Sequence, residues 1–255
     1  MTALFFRRSH ALALATSMIS LCVLPEWGGA AVILVQDGRA TALATDFTSA
    51  GTNATTGQGW TQVTDATSAG NHTNSRTGSF MQYLPDTGTG GSPTGGPFLT
   101  YEIMVTTPGE YQLYLSWEVN NSNSGTVGGS DSFFVSIAEL SDGIGGVHPD
   151  WYEITQKEQT NDGDFNTTRW MSSGEAEVNL AGAASNPLLW TIATPGIYTL
   201  RFAPREDGVA IDQLVFQTSS MAAPTGFPPT TTVPEPGRAM LLGLGLMLLC
   251  LRRGR

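Results

Sequence analysis

Through the middle of the chain, apolar and polar residues alternate one by one. In "GEYQLYLSWEV", Tyr111, Leu113, Leu115, Trp117 and Val119 fall on one side, and Glu110, Gln112, Tyr114, Ser116 and Glu118 on the other. "LTYEIMV" repeats the pattern with Leu99, Tyr101, Ile103 and Val105, and "SFFVSIA" with Phe133, Val135 and Ile137. Successive strand side chains point to opposite faces, so a period of two predicts strands with one buried face. Trp117 and Trp190 share parity with apolar neighbours and are assigned to the core. Residues 31–217 carry no convincing helical period. About ten strands without helices predict an all-β sandwich of the jelly-roll type.

Turn chemistry punctuates these strands. "TPGEYQL" from Thr107 and "TPGIYTL" from Thr194 are near-repeats. Pro fixes φ at the first central position of a tight turn and Gly supplies positive φ at the second, so each Pro-Gly pair predicts a turn between strands. In "REDGVAIDQLVF", Arg205-Glu206-Asp207-Gly208 reads as a turn. Val209 and Ile211 then alternate, and Leu214 and Phe216 alternate on the opposite parity. Either a bulge at Asp212-Gln213 keeps all four inward, or the strand is buried on both faces.

The two ends break the pattern. Residues 1–30 place Arg7 and Arg8 before an apolar stretch, 11–24, and the small residues Gly28-Gly29-Ala30. That order predicts a secretory signal peptide, cut by signal peptidase. Residues 218–233, "TSSMAAPTGFPPTTTV", lack apolar periodicity and predict a flexible, partly extended spacer. Residues 239–251 form a second apolar run, shorter than the ~20 residues that span a bilayer comfortably. Arg252, Arg253 and Arg255 follow it and would stay on the cytoplasmic side, with the body facing outward.

Charge and cysteine usage narrow the partners. The formal charge is −10, but half of the 12 basic residues sit at the ends. Between residues 31 and 236, six basic residues face 21 acids, which leaves that stretch at −15. Such a body repels phosphate backbones, so a nucleic-acid partner is not expected. The two cysteines, Cys22 and Cys250, both lie in the removable ends, so the body carries no disulfide and no thiolate.

The order Pro234-Glu235-Pro236, apolar run, arginine cluster resembles the PEP-CTERM sorting signal of exopolysaccharide-producing Gram-negative bacteria. The resemblance implies transient insertion of residues 234–255 in the inner membrane and recognition by an exosortase. That enzyme would cut near the triplet and leave the body at the cell surface or outside the cell. Proline fixes φ and lacks a backbone donor, so the triplet suits an extended substrate.

The body carries a second resemblance. "GSFMQYLPDTGT", "LTYEIMVTTPGEYQLYLSW", "SDSFFVSI" and "TPGIYTLRFAPREDGVAIDQLVF", in that order, are similar to galactose-binding-like carbohydrate-binding modules. The shared features are Gly109/Tyr111, Ser130-Asp131-Ser132 and Glu206-Asp207-Gly208, across roughly 80–216. This implies a jelly roll for residues 31–217 and a polysaccharide ligand. Many relatives hold a structural calcium with a Glu-x-Glu pair in an early strand and an Asp in the last one. Here Leu43 and Thr45 fall where the early acids would be, and Asp46 and Asp212 are the acids left. Calcium takes six to eight oxygens, so the other reading of Asp46 and Asp212 is as ordinary turn and bulge residues.

A sugar site needs an aromatic platform for C–H faces beside polar partners for hydroxyls. Trp60, Trp151 and Trp170 lie in polar, loop-like surroundings, and Tyr152 adjoins Trp151; these four are the candidate ligand residues. Each also reads as an aromatic that anchors a loop. His72 and His148 have no metal-ligand spacing to a second His or Cys, and no nucleophile elbow or phosphate loop is present, so no catalytic residue is assigned. The expectation is an exported, non-catalytic protein that binds polysaccharide, with a structural surface or matrix protein as the alternative.

Overall fold

Between Leu99 and Val105 buried and accessible side chains alternate residue by residue, as the period of two requires. This computed structural model describes residues 32–69, 72–87, 93, 96–118, 132–140, 151–155, 165, 170–172 and 188–233. The signal peptide, the Pro-Glu-Pro triplet and the arginine tail lie outside the described residues. Among the described residues there are strands and no helix. In chain order they are β1 (Val32–Leu34), β2 (Arg39–Leu43), β3 (Ser49–Ala50), β4 (Gly59–Thr64), β5 (Ser79–Leu84), β6 (Leu99–Val105) and β7 (Gly109–Glu118). There follow β8 (Ser132–Ile137), β9 (Tyr152–Thr155), β10 (Met171–Ser172), β11 (Leu189–Ile192), β12 (Gly196–Pro204), β13 (Ala210–Thr218) and β14 (Thr232–Val233).

The strands form two sheets. One has the order β14-β1-β6-β12-β8-β9, with β3 also on β6. The other has the order β10-β7-β13-β5-β4, with β11 also on β7 and β2 also on β13. The β1–β6 pair is parallel; β6–β12, β12–β8 and β7–β13 are antiparallel. A single apolar cluster joins the sheets, with Tyr101, Leu200 and Phe202 from the first and Leu113, Leu115 and Leu214 from the second. Two edge-to-face ring pairs cross the interface: Trp117 with Phe133 at 4.9 Å and Tyr152 with Trp190 at 5.1 Å. The described residues therefore form an all-β, two-sheet sandwich, and both Trp117 and Trp190 lie in its core.

Strand β13 sits at the centre of the second sheet. Its register to β7 shifts between Ile211 and Gln213, a bulge at the expected place. The bulge keeps Val209, Ile211, Leu214 and Phe216 in the core cluster. It also divides the other edge of the strand: Ala210 and Ile211 pair with β5, and Gln213 through Gln217 pair with β2. The opposite face is buried too, since Ala210, Asp212, Gln213, Val215 and Gln217 are all inaccessible. Both readings of this stretch hold at once.

The Pro-Gly repeats differ from expectation. Gly109 and Gly196 do not have positive φ; they open β7 and β12 in extended geometry. The reason is topological. Strands β6 and β7 belong to different sheets, as do β11 and β12, so each repeat is a corner between layers and not a hairpin turn. A tyrosine closes each corner: Tyr111 Oη donates to the Thr107 carbonyl at 2.7 Å, and Tyr198 Oη to the Thr194 carbonyl at 2.6 Å.

The segment expected to be a flexible spacer is held on the fold. Gln217 Nε2 donates to the Ala222 carbonyl at 2.8 Å, and Gln213 Nε2 to the Pro228 carbonyl at 3.2 Å. The Arg76 guanidinium lies over the Phe227 ring at 4.9 Å. Thr231 N donates to Thr41 O at 2.8 Å, and Thr41 N donates back to Thr231 Oγ1 at 2.9 Å. The segment then enters the first sheet as β14, with Val233 opposite Val32. Lack of periodicity was the signal for a spacer. A strap that bonds through its carbonyls needs no periodicity, which is why the pattern misses it.

Candidate functional site

Strand parity decides the fate of the aromatic candidates. Trp60 lies in β4, 4% exposed, with its ring 5.6 Å from Tyr83 in the core. Its expected loop is a strand because Gly59 lets two segments close in. A Cβ on Gly59 would stand 2.7 Å from Thr52 Oγ1 and 2.8 Å from the Gly51 carbonyl. Tyr152 is 3% exposed and points inward, its hydroxyl donating to the Leu189 carbonyl at 2.8 Å. Trp170 Nε1 donates to the Gly226 carbonyl at 2.9 Å and so anchors the strap. Trp60 and Tyr152 are therefore corrected from platform to core. Trp151 precedes Tyr152 and has the opposite parity, which leaves its ring partly accessible on the outer side of the first sheet.

Trp151 does not stand alone there. Its ring stacks on Phe98, 5.6 Å between centres at 28°. The Arg201 guanidinium lies 4.7 Å from the Trp151 ring centre and 5.7 Å from that of Phe98. Pairing register places Arg201 in a row of outward residues: Ser49 opposite Thr100, Thr100 opposite Arg201, Arg201 opposite Ser136. Arg201 Nε donates to Ser136 Oγ at 3.2 Å, and the Ser49 and Thr100 hydroxyls share a 2.6 Å bond. Ser49, Thr100 and Phe98 open onto a groove of about 600 Å³, whose far wall is Thr52, Asn53 and Thr55.

The groove walls are tied together by the backbone. Gly51 N donates to the Phe98 carbonyl at 2.9 Å. Asn53 Oδ1 accepts from Thr55 N at 2.9 Å and Thr56 N at 3.2 Å, which shapes the outer turn. Behind it, buried Asp207 accepts from Gln58 Nε2, Thr87 N and Thr87 Oγ1 at 3.1, 2.6 and 2.8 Å. The Glu-Asp-Gly turn thus fastens the β3–β4 and β5–β6 connections. Phe98, Arg201, Ser49 and Thr100 were not singled out in the sequence. Their outward parity is visible there, but the registers that align them are not.

None of the ten described residues that line the groove is Asp, Glu, His or Cys. The arrangement offers ring faces, hydroxyls and one guanidinium. It can hold a polar ring by stacking and hydrogen bonding. Those lining residues supply no acid or base for proton transfer.

The structure gives Asp46 and Asp212 different partners. Asp46 Oδ2 accepts from Leu43 N at 3.0 Å within its own turn, and burial raises its pKa. Both Asp212 oxygens accept from Arg76 N at 3.1 Å. Burial pushes the Asp212 carboxyl up to about 7, with nearby Asp65 adding to the rise. Among the described residues no group of three or more His, Cys, Asp or Glu side chains could hold a metal ion. Calcium takes six to eight oxygens, and Asp46 and Asp212 are the two acids that the resemblance offers to it.

A buried imidazole lies in the same region. His72 is wholly inaccessible, packed between Phe80 at 5.2 Å and Phe165 at 5.5 Å, and neither ring nitrogen has a hydrogen-bond partner. Burial lowers its pKa to about 4, against weaker opposing effects from the Ala69 backbone and Asp65.

No family model matches the chain, and no curated protein matches it. Among solved structures it is similar to the isomalto-dextranase of Arthrobacter globiformis T6 complexed with panose. The identity is 16% and the TM-score 0.36, over 70% of this chain and 23% of that one. The chain thus spans about a quarter of the length of that enzyme.

Proposed function

We propose that this chain is an exported polysaccharide-binding module with no catalytic role. Its sandwich is a galactose-binding-like jelly roll, and residues 234–255 are a sorting signal processed by an exosortase. The observation that carries the binding reading is the Phe98–Trp151–Arg201 stack beside a hydroxyl-lined groove. An accessible aromatic pair next to Ser and Thr hydroxyls matches the two faces of a pyranose, one apolar and one polar. The test is retardation of the purified domain on native gels cast with different glycans. Retardation by one glycan class, lost in Trp151→Ala and Phe98→Ala, supports binding at this face. No retardation by any glycan overturns it.

A matrix protein with no sugar ligand is the second reading. It is favoured by the burial of Trp60 and Tyr152, and by the guanidinium that already covers part of Trp151. In that case Trp151 serves only to pack Arg201, and its removal changes stability but no glycan contact.

A further inference from the structure

We propose that β14 is a latch on the chain's own C-terminal processing. This rests on the reading of residues 234–255 as a signal cut near Pro234-Glu235-Pro236. Thr231 and β14 are already engaged: Thr231 N donates to Thr41 O, Leu34 N donates to Thr231 O, and Thr232 and Val233 pair with Ile33 and Val32. The triplet follows Val233 directly, with no residue between.

A peptide that docks as a strand does so through its main-chain hydrogen-bonding groups, and an extended substrate in a protease cleft uses the same groups. Here the groups upstream of the triplet are committed to β1 and Thr41. The same backbone cannot serve the sheet and the cleft together. Residues 231–233 must leave β1 before the enzyme closes on the triplet. Such opening is local. Strand β14 has two residues and lies at the end of its sheet, and short edge elements open at far lower cost than the core. The strap, Gln217 to Pro228, stays bound by its own contacts when the latch opens.

Folding therefore precedes and slows cutting: a chain whose sandwich has closed presents the triplet only in the opened fraction. The test is pulse-chase conversion of the full chain in its native host, with mass spectrometry of the new C-terminus. Eight Gly/Ser residues inserted between Val233 and Pro234 should shorten the conversion half-time severalfold. Thr231→Ala, which removes the hydroxyl that Thr41 N uses, should shorten it by roughly fivefold, the weight of about one hydrogen bond. If both variants convert at the wild-type rate while Glu235→Ala stops conversion, the signal stands and the latch is overturned. If no form is converted, the processing reading fails and the latch falls with it. Conversion of the insertion variant alone supports the latch. Hydrogen exchange at the Leu34 amide reads the opening without any enzyme; exchange there at the rate of an unstructured chain also overturns the latch.

Discussion

Arg201 and Trp151 form a cation–π pair, guanidinium to ring centre 4.7 Å, on the outer side of the first sheet. Such a pair on a half-accessible surface contributes about 0.5–2 kcal/mol. Arg201→Ala should lower unfolding free energy by about 1 kcal/mol, and Arg201→Lys by less, in urea titrations. If the stack is a sugar platform, Trp151→Ala should weaken glycan binding by about tenfold or more, and Arg201→Lys should retain more affinity than Arg201→Ala.

The two tyrosine corners make a paired prediction. Tyr111→Phe and Tyr198→Phe each remove one hydroxyl donor and should each cost about 1 kcal/mol. Gly109→Ala should be nearly neutral, because its φ is ordinary and a Cβ would rest 3.7 Å from the Tyr111 ring. Gly59→Ala should instead cost about 1–3 kcal/mol through backbone displacement at Gly51 and Thr52. Thermal melts of the four variants check the contrast.

Legibility followed the kind of information each feature needs. The strands from Leu99, Gly109 and Ser132, the core places of Trp117 and Trp190, and the bulge at Asp212 rest on local parity, and parity is written in the chain. The Ser49–Thr100–Arg201–Ser136 row depends on registers between residues up to 101 apart, which no local pattern encodes. Trp60 looked like a loop residue because its neighbours are polar. Its burial depends on the close approach that Gly59 permits to Gly51 and Thr52, which no alternation of polar and apolar residues reveals. Trp151 and Tyr152 are adjacent candidates; one residue of parity separates the outer face from the core.

His72 and Asp212 predict an unusual pH response. His72 falls from an ordinary 6.5 to about 4 on folding, so its contribution is present above pH 6.5 and is lost as pH falls through about 4. Asp212 rises from 3.8 to about 7, so its contribution is present below pH 3.8 and is lost as pH rises through about 7. Between about pH 4 and 6.5 the two slopes have opposite sign and cancel. Asp212→Asn should therefore add an upward slope of stability with pH in that window, up to about 1.4 kcal/mol per pH unit. His72→Phe should add a downward slope of similar size. Urea midpoints from pH 4 to 7 for the three proteins check this, and parallel curves would refute it.

The strap predicts where the stable unit ends. A fragment of residues 31–217 lacks the partners of Gln213 and Gln217 and exposes Thr41. It should melt about 10 °C below residues 31–233, from about 3–5 kcal/mol of lost hydrogen bonds and packing. Equal melting temperatures would show that the strap adds nothing.

Strand β13 has β7 along one edge, and β5 and β2 share the other on either side of the bulge. Its partners begin at residues 39, 79 and 109, while β13 itself starts at 210. The second sheet therefore closes by long loops, of the kind that makes β-sandwiches slow to fold. A growing chain holds three strands short of a partner until residues 210–218 have been made. Nothing shorter than about 218 residues can complete the second sheet, so its closure waits on a strand made long after most of its partners.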